Sequence, residues 1–201
     1  RGLGDVYKRQ VSKHNIFGTG YETALGCELA GGNSTGISGE DNAVQRYVQC
    51  VDNIDMSETL AVVILNSPAY AGTTYFGYTN QTKVVEFAIA YCPVIYDLQS
   101  ESFRQVLVHE AVGHGFAKLE DEYAYQENGT ISSKEIKNVQ YLQTLGWAQN
   151  VDFTSDPSQV LWSAFLNDNR YVSEKLGVFE GACTYIKGAY RPSEESMMNS
   201  N

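Results

Sequence analysis

The sequence predicts an α/β (α+β) domain in which a twisted mixed sheet packs on one prominent helix. Three observations carry this expectation. Leu60 to Leu65 (LAVVIL) is a short, continuous, β-branched apolar run, the pattern of a strand buried on both faces. Val84 to Tyr91 (VVEFAIAY) reads as a second strand. From Ser100 onward, Phe103, Val106, Leu107 and Ala111 recur at helical spacing and form an apolar stripe that must face a core.

In chain order, residues 1–10 (RGLGDVYKRQ) look like a non-native sequencing-adapter scar and are set aside. The remainder, 11–201, is expected to form a single domain truncated at both ends, any signal peptide being lost with the natural N-terminus. The whole chain, 201 residues at 43% hydrophobic, suits one core. Residues 11–33 mix glycine, threonine and apolar side chains, consistent with a strand and irregular structure. Asn33-Ser34-Thr35 is a glycosylation sequon in form only. Val44, Tyr47 and Val48 stand at helical spacing within a helix expected over Asp41 to Val51, and Asp55 to Glu58 is a turn.

After the first strand, Asn66 to Asn80 reads as a loop containing Pro68, Gly72 and Gly77, of the kind that can border a cleft. Pro93 interrupts the second strand and assigns it to an edge, where an extended peptide could add by β-augmentation. Ser100 is the N-cap of the next helix, with Glu101 in its first turn, and that helix should end between Gly115 and Leu119. A polar break over Gln126 to Ser133 precedes a helix from Lys134 to Leu145, ending at Gly146. Asp156-Pro157 opens a turn, and Gln159 to Leu166 places Trp162 and Phe165 in an apolar cluster.

Acids outnumber bases by 24 to 14, a formal charge of −10 that argues against nucleic acid and anionic membrane surfaces as partners. No apolar run approaches the ~18 residues of a membrane span. Cys27, Cys50, Cys92 and Cys183 include no C-x-x-C pair and so look unlike a structural zinc site. They could form disulfides or stay as buried thiols. If one bridge exists, Cys27–Cys50 closes the shorter loop.

The chemistry concentrates in His109-Glu110-Ala111-Val112-Gly113-His114, followed by Glu120-Asp121-Glu122-Tyr123. The chain has three histidines, and two are here. Imidazoles ligate zinc well, a carboxylate can close the ligand set, and a second carboxylate can take a proton from water. The usual spacing is H-E-x-x-H, whereas this chain has H-E-x-x-x-H. At about 100° per residue, positions five apart on an α-helix diverge by roughly 140°. A π-bulge would absorb the extra residue, eased by Gly113 and Gly115. A rival pairing takes Glu110 and His114 as the metal pair, but leaves His109 without a task and water without a base. One of Glu120, Asp121 and Glu122 is expected as the third ligand.

Taken together, the H-E-A-V-G-H-G-F-A-K-L-E-D-E-Y block, the strand and asparagine at Val62 to Asn66, the segment E-G-A-C-T-Y-I-K-G-A-Y-R-P-S and the terminal Ser196-Met197-Met198 resemble the bacterial IgA metallopeptidase family. The matches span roughly Leu60 to Met198. The family is similar to the metzincins, whose zinc helix is followed by a methionine-containing turn. The resemblance implies a metzincin-like catalytic domain with Zn2+ as cofactor. It makes His109 and His114 the first two zinc ligands, Asp121 the third, Glu110 the general base and Met198, or else Met197, the methionine of the turn. The longer histidine spacing departs from the standard pattern and resembles the H-E-x-x-G-H-G motif of the dipeptidyl peptidase III family. Ala117 stands where metzincins turn at a glycine, so Glu120 and Glu122 stay open as alternative ligands.

The reaction so implied is zinc-assisted hydrolysis of peptide bonds in a protein or peptide, by an endopeptidase that is secreted or held at the cell surface or in the periplasm. Tyr123 is the catalytic residue expected to meet the oxyanion, with Tyr190 and Arg191 as further candidates. Two rivals stand beside it: a catalytically inactive, peptidase-like binding module, and a structural zinc domain. Zinc stoichiometry separates the first from an enzyme. Retention of zinc with loss of activity in Glu110→Gln argues against the second. Immunoglobulin A as substrate does not follow from a family name.

Overall fold

The computed structural model describes residues 25–29, 36–78 and 85–199. The segment 1–10, the sequon at Asn33 and most of 11–33 lie outside them. The chain divides into two compact units, one running to Gly115 and the other starting at Phe116.

In the first unit, β1 (Glu28–Leu29) and β2 (Ile37–Ser38) form a short antiparallel pair ahead of α1 (Asp41–Val48). Asp55 caps a single 3-10 turn, Met56–Glu58, through its side chain. The main sheet contains β3 (Leu60–Leu65), β4 (Thr73–Tyr78) and β5 (Val85–Pro93) in the order β3-β5-β4. β5 pairs in parallel with β3 and antiparallel with β4, so the sheet is mixed, as expected.

Because side chains alternate across a strand, the sheet builds two cores. Val63, Leu65, Phe87, Ile89 and Tyr91 face one side, joined by Val44 of α1. The Tyr91 hydroxyl donates to Asp41 Oδ1 at 2.9 Å, tying that helix to the sheet. Ala90 and Cys92 face the other side and meet Phe103, Val106 and Ala111. Those residues are the stripe read from the sequence, on α2 (Glu101–Leu107) and the helix that continues it. Ser100 caps α2 as expected, its Oγ accepting from Phe103 N at 3.1 Å.

Three sequence expectations about the sheet are corrected. Leu60–Leu65 is not buried on both faces: Val62 and Ile64 are 40% and 54% exposed. Among the described residues their strand pairs only with β5, and α2 packs on that neighbour. The supposed loop 66–80 contains β4, whose sequence TTYFGY sits between turn residues and so lacks a long apolar run. The second strand is central, not an edge, and runs through Pro93. Proline is tolerated there because β4 reaches only as far as Tyr91, and Val94 N then continues the ladder to Leu65 O at 2.8 Å.

The second unit holds α3 (Ser133–Thr144), α4 (Ser163–Leu166), a 3-10 helix (Asn169–Glu174) and a hairpin of β6 (Phe179–Ala182) with β7 (Tyr185–Arg191). α3 begins with a reciprocal cap: Ser132 Oγ accepts from Glu135 N and donates to Glu135 Oε2. Gly146, at φ +83°, follows its end. Ile131, Ala148, Val151, Ala182, Cys183 and Ala189 form the core. Trp162 is buried and donates to Gly177 O, whereas Phe165 is 45% exposed and packs edge-on against Tyr171.

None of the four cysteines is in a disulfide, which corrects the Cys27–Cys50 pairing: Cys27 is buried and Cys50 exposed. Among the described residues no helix is long and apolar enough to cross a membrane.

Candidate metal centre

The helix that follows α2 does not stay α-helical. Val108–Phe116 is a nine-residue π-helix, so the extra residue between the histidines is absorbed over the whole motif, not at a single bulge. An i→i+5 turn brings position i+5 back over position i. His109 and His114 accordingly face one another, with their Nε2 atoms 3.2 Å apart and their rings edge to face at 4.8 Å between centroids. Gly115 permits the wide turn to lie against the sheet: a Cβ there would come within 2.8 Å of both Leu60 Cδ atoms.

This spacing tests directly whether the pair suits a metal. Two imidazole nitrogens at about 2.05 Å from a tetrahedral zinc, subtending about 109°, would stand about 3.3 Å apart. The observed 3.2 Å fits. His109 and His114 each offer an imidazole nitrogen to a metal ion, and Asp121 offers a carboxylate oxygen.

Glu110 lies between the histidines in sequence and is buried. Its carboxylate is anchored from β4: Thr74 Oγ1 lies 2.8 Å from Glu110 Oε2 and 2.9 Å from Glu110 O. Next to it, Gly72 leaves open the space the carboxylate occupies, since a Cβ at Gly72 would meet Glu110 Oε1 at 2.5 Å. Neither Gly72 nor Thr74 is recognisable as a site residue from sequence, because both lie in the stretch that reads as a loop. Burial and the contacts from Thr74 hold the Glu110 carboxylate in place.

In the second unit, the acidic stretch is held through its main chain. Asp121 O accepts from Cys183 N at 2.8 Å, and Tyr123 O accepts from Thr184 N at 3.1 Å. Cys183 and Thr184 form the β6–β7 turn with φ of 53° and 67°. Two successive left-handed residues suit a tight hairpin but cost a non-glycine chain energy. The amides so aimed are the ones that grip residues 121–123.

The three acids have different surroundings. Glu122 is 3% exposed and both carboxylate oxygens are occupied, Oε1 by Asn150 Nδ2 at 2.9 Å and Oε2 by Ser196 Oγ at 2.6 Å. Burial pushes its carboxyl above the ordinary carboxylate value, against the opposing pull of those hydrogen bonds and of Arg191. Glu120 is tied through its backbone to the Asn150 side chain. Asp121 is half-buried between them. Burial raises the Tyr123 phenol first, and the Asp121 charge, a hydrogen bond with Tyr125 and one with Asp121 raise it further.

Of the two methionines, Met198 is 1% exposed and Met197 46%. Met198 is thus the buried one, and its carbonyl accepts from Glu122 N at 2.9 Å. Arg191, one of the possible oxyanion donors, spends its guanidinium on the carbonyls of Glu180, Gly181 and Ser193, holding the hairpin and the chain beyond it.

A search of curated proteins gives no match to this chain. The family model described as IgA Peptidase M64 matches residues 18–173, which is more than half of the chain.

Proposed function

The chain belongs to the IgA Peptidase M64 family, and on that premise we propose that it is a zinc-dependent endopeptidase with a metzincin-like catalytic domain. Family membership makes it a peptidase, with a protein or peptide as substrate. In the finer reading His109, His114 and Asp121 hold the metal, Glu110 is the general base and Tyr123 stands by the developing oxyanion. The observation that carries this reading is the His109–His114 pair, set 3.2 Å apart by a π-helix, with a buried, anchored glutamate beside it.

A zinc ion bound there would polarise the scissile carbonyl and make water a competent nucleophile near neutral pH. Glu110 takes a proton from that water on its carboxylate and passes it to the leaving amine. Thr74 keeps the carboxylate in place while the proton is held. Tyr123 carries a phenol O–H of the kind that can hydrogen-bond an oxyanion. Met198 is the methionine of the turn following the zinc helix. Secretion, or display at the cell surface or in the periplasm, belongs to the same proposal.

The test uses purified protein, zinc analysis and casein as a general substrate. The wild type is expected to hold one zinc per chain and to cleave casein, to lose activity to 1,10-phenanthroline and to regain it with zinc. Glu110→Gln should retain zinc and lose about 10²- to 10⁴-fold in rate. Wild-type activity in Glu110→Gln, or a wild type that binds no zinc, would overturn the assignment.

A further inference from the structure

Asn150 and Ser196 stand 28 and 74 residues from Glu122 in sequence, yet both hold the acidic stretch. The Asn150 amide makes three bonds to the segment. Its Oδ1 accepts from Glu120 N at 2.9 Å, and its Nδ2 donates to Glu120 O at 2.8 Å and to Glu122 Oε1 at 2.9 Å. Ser196 Oγ donates to Glu122 Oε2 at 2.6 Å and accepts from Met198 N and Asn199 N, both at 3.1 Å. Glu122 N closes the circuit onto Met198 O.

We propose that Asn150 and Ser196 are positioning residues that select the third metal ligand, fixing Asp121 for that role by clamping the residues on either side of it. The proposal rests on the reading that Asp121 ligates zinc, and deepens it by saying why Glu122 does not. Glu122 has both oxygens committed to Asn150 and Ser196, so reaching a metal would strip two hydrogen bonds from a buried carboxylate. Glu120 has its peptide N–H and C=O both held by one side-chain amide, which fixes the main chain leading into Asp121. The Asp121 carbonyl is itself held by Cys183 N. A ligand whose backbone is held on both flanks loses little freedom on binding a cation. Partners that orient a ligand in this way typically change metal affinity by about 10- to 100-fold when removed.

A purely structural network would affect folding without affecting the metal, so the test reads both. Zinc affinity is measured by competition with a chromogenic chelator, and the melting temperature is measured on the metal-free protein. Asn150→Asp keeps the shape of the amide and loses both Nδ2 bonds; Ser196→Ala loses the hydroxyl, and Ser196→Thr restores it. Val160→Ala, a buried truncation elsewhere in the same unit, is the control for lost stability alone.

Asn150→Asp and Ser196→Ala are expected to weaken zinc binding at least about 10-fold. Ser196→Thr should bind as the wild type does, and Val160→Ala should lower the melting temperature without changing zinc affinity. Asp121→Asn separates the two levels of the argument. If it loses zinc while Asn150→Asp and Ser196→Ala bind normally, the positioning role is overturned and Asp121 stays the ligand. If Asp121→Asn binds zinc as the wild type does, the ligand assignment itself fails and the positioning role falls with it. Should Asn150→Asp not fold, the Ser196→Ala and Ser196→Thr pair decides the matter.

Discussion

A Cβ built on Gly72 would meet Oε1, Cγ and Cδ of Glu110 at 2.5, 2.7 and 2.9 Å. The φ of Gly72 lies outside the left-handed region, so alanine is acceptable to the backbone and objectionable only to the glutamate. Gly72→Ala should therefore cost about 1–3 kcal/mol in stability, as overpacked sites do, and reduce casein cleavage while zinc content stays at the wild-type level. A variant of undiminished activity would mean that the carboxylate is not needed where it lies. Thr74→Val keeps the side-chain shape and removes the donor to Glu110, at a cost of about 1 kcal/mol. The rate on casein should fall with KM little changed, and Thr74→Ser should recover it. At this scale the sequence is only half legible. His109, Glu110 and His114 announce themselves by type and spacing. Gly72, Thr74, Asn150 and Ser196 do not, because each acts on a partner 28 or more residues away in sequence.

The π-helix is the element most legible in the sequence, because H-x-x-x-x-H on a regular helix aims two imidazoles apart and so demands a wider turn. Its extent, Val108–Phe116, does not follow from the spacing, which locates the surplus residue but not how far the distortion spreads. Gly115 gives the element a test. A methyl there would strike both Leu60 Cδ atoms at 2.8 Å, with Glu110 O at 3.2 Å. Gly115→Ala should destabilise by about 1–3 kcal/mol. Combined with Leu60→Ala it should cost less than the sum of the two single changes, because the second opens the space the first needs. Strict additivity in urea melts would show that the helix does not bear on β3 at that point. The sheet is less legible, for reasons of context. LAVVIL looks doubly buried because every residue is apolar, but burial of a strand depends on its neighbours, and among the described residues β3 pairs with β5 alone. Pro93 suggests an edge, yet a proline costs a central strand nothing where the adjacent strand has already ended.

For the molecule taken whole, the thiols report on folding. Burial pushes Cys27 up to about 11 and Cys92 up to about 12, with Asp41 and Glu110 respectively adding to the shift. The buried Tyr91 phenol is raised in the same sense. A thiol whose folded pKa exceeds its unfolded value keeps its proton longer in the native state, so the native state binds more protons over that interval. Unfolding free energy is therefore unaffected by these thiols below about pH 9 and declines from there towards pH 11–12. Urea midpoints measured across that range should fall, and Cys92→Ala should remove its share of the slope. A flat profile would contradict the burial of these groups. Iodoacetamide should modify Cys50 rapidly in the native protein, and all four cysteines once it is denatured, with no mass deficit from a disulfide.

The hydroxyl of Ser196 and the carboxylate of Glu122 are 74 positions apart along the chain. A ribosome releases the acid long before its partner, and a nascent polypeptide ending short of Ser196 would carry a glutamate with one oxygen lacking its donor. On the proposed reading, competence to capture the cation would then wait until Ser196 is made, so that translation itself delays the moment at which the new chain can cut its surroundings.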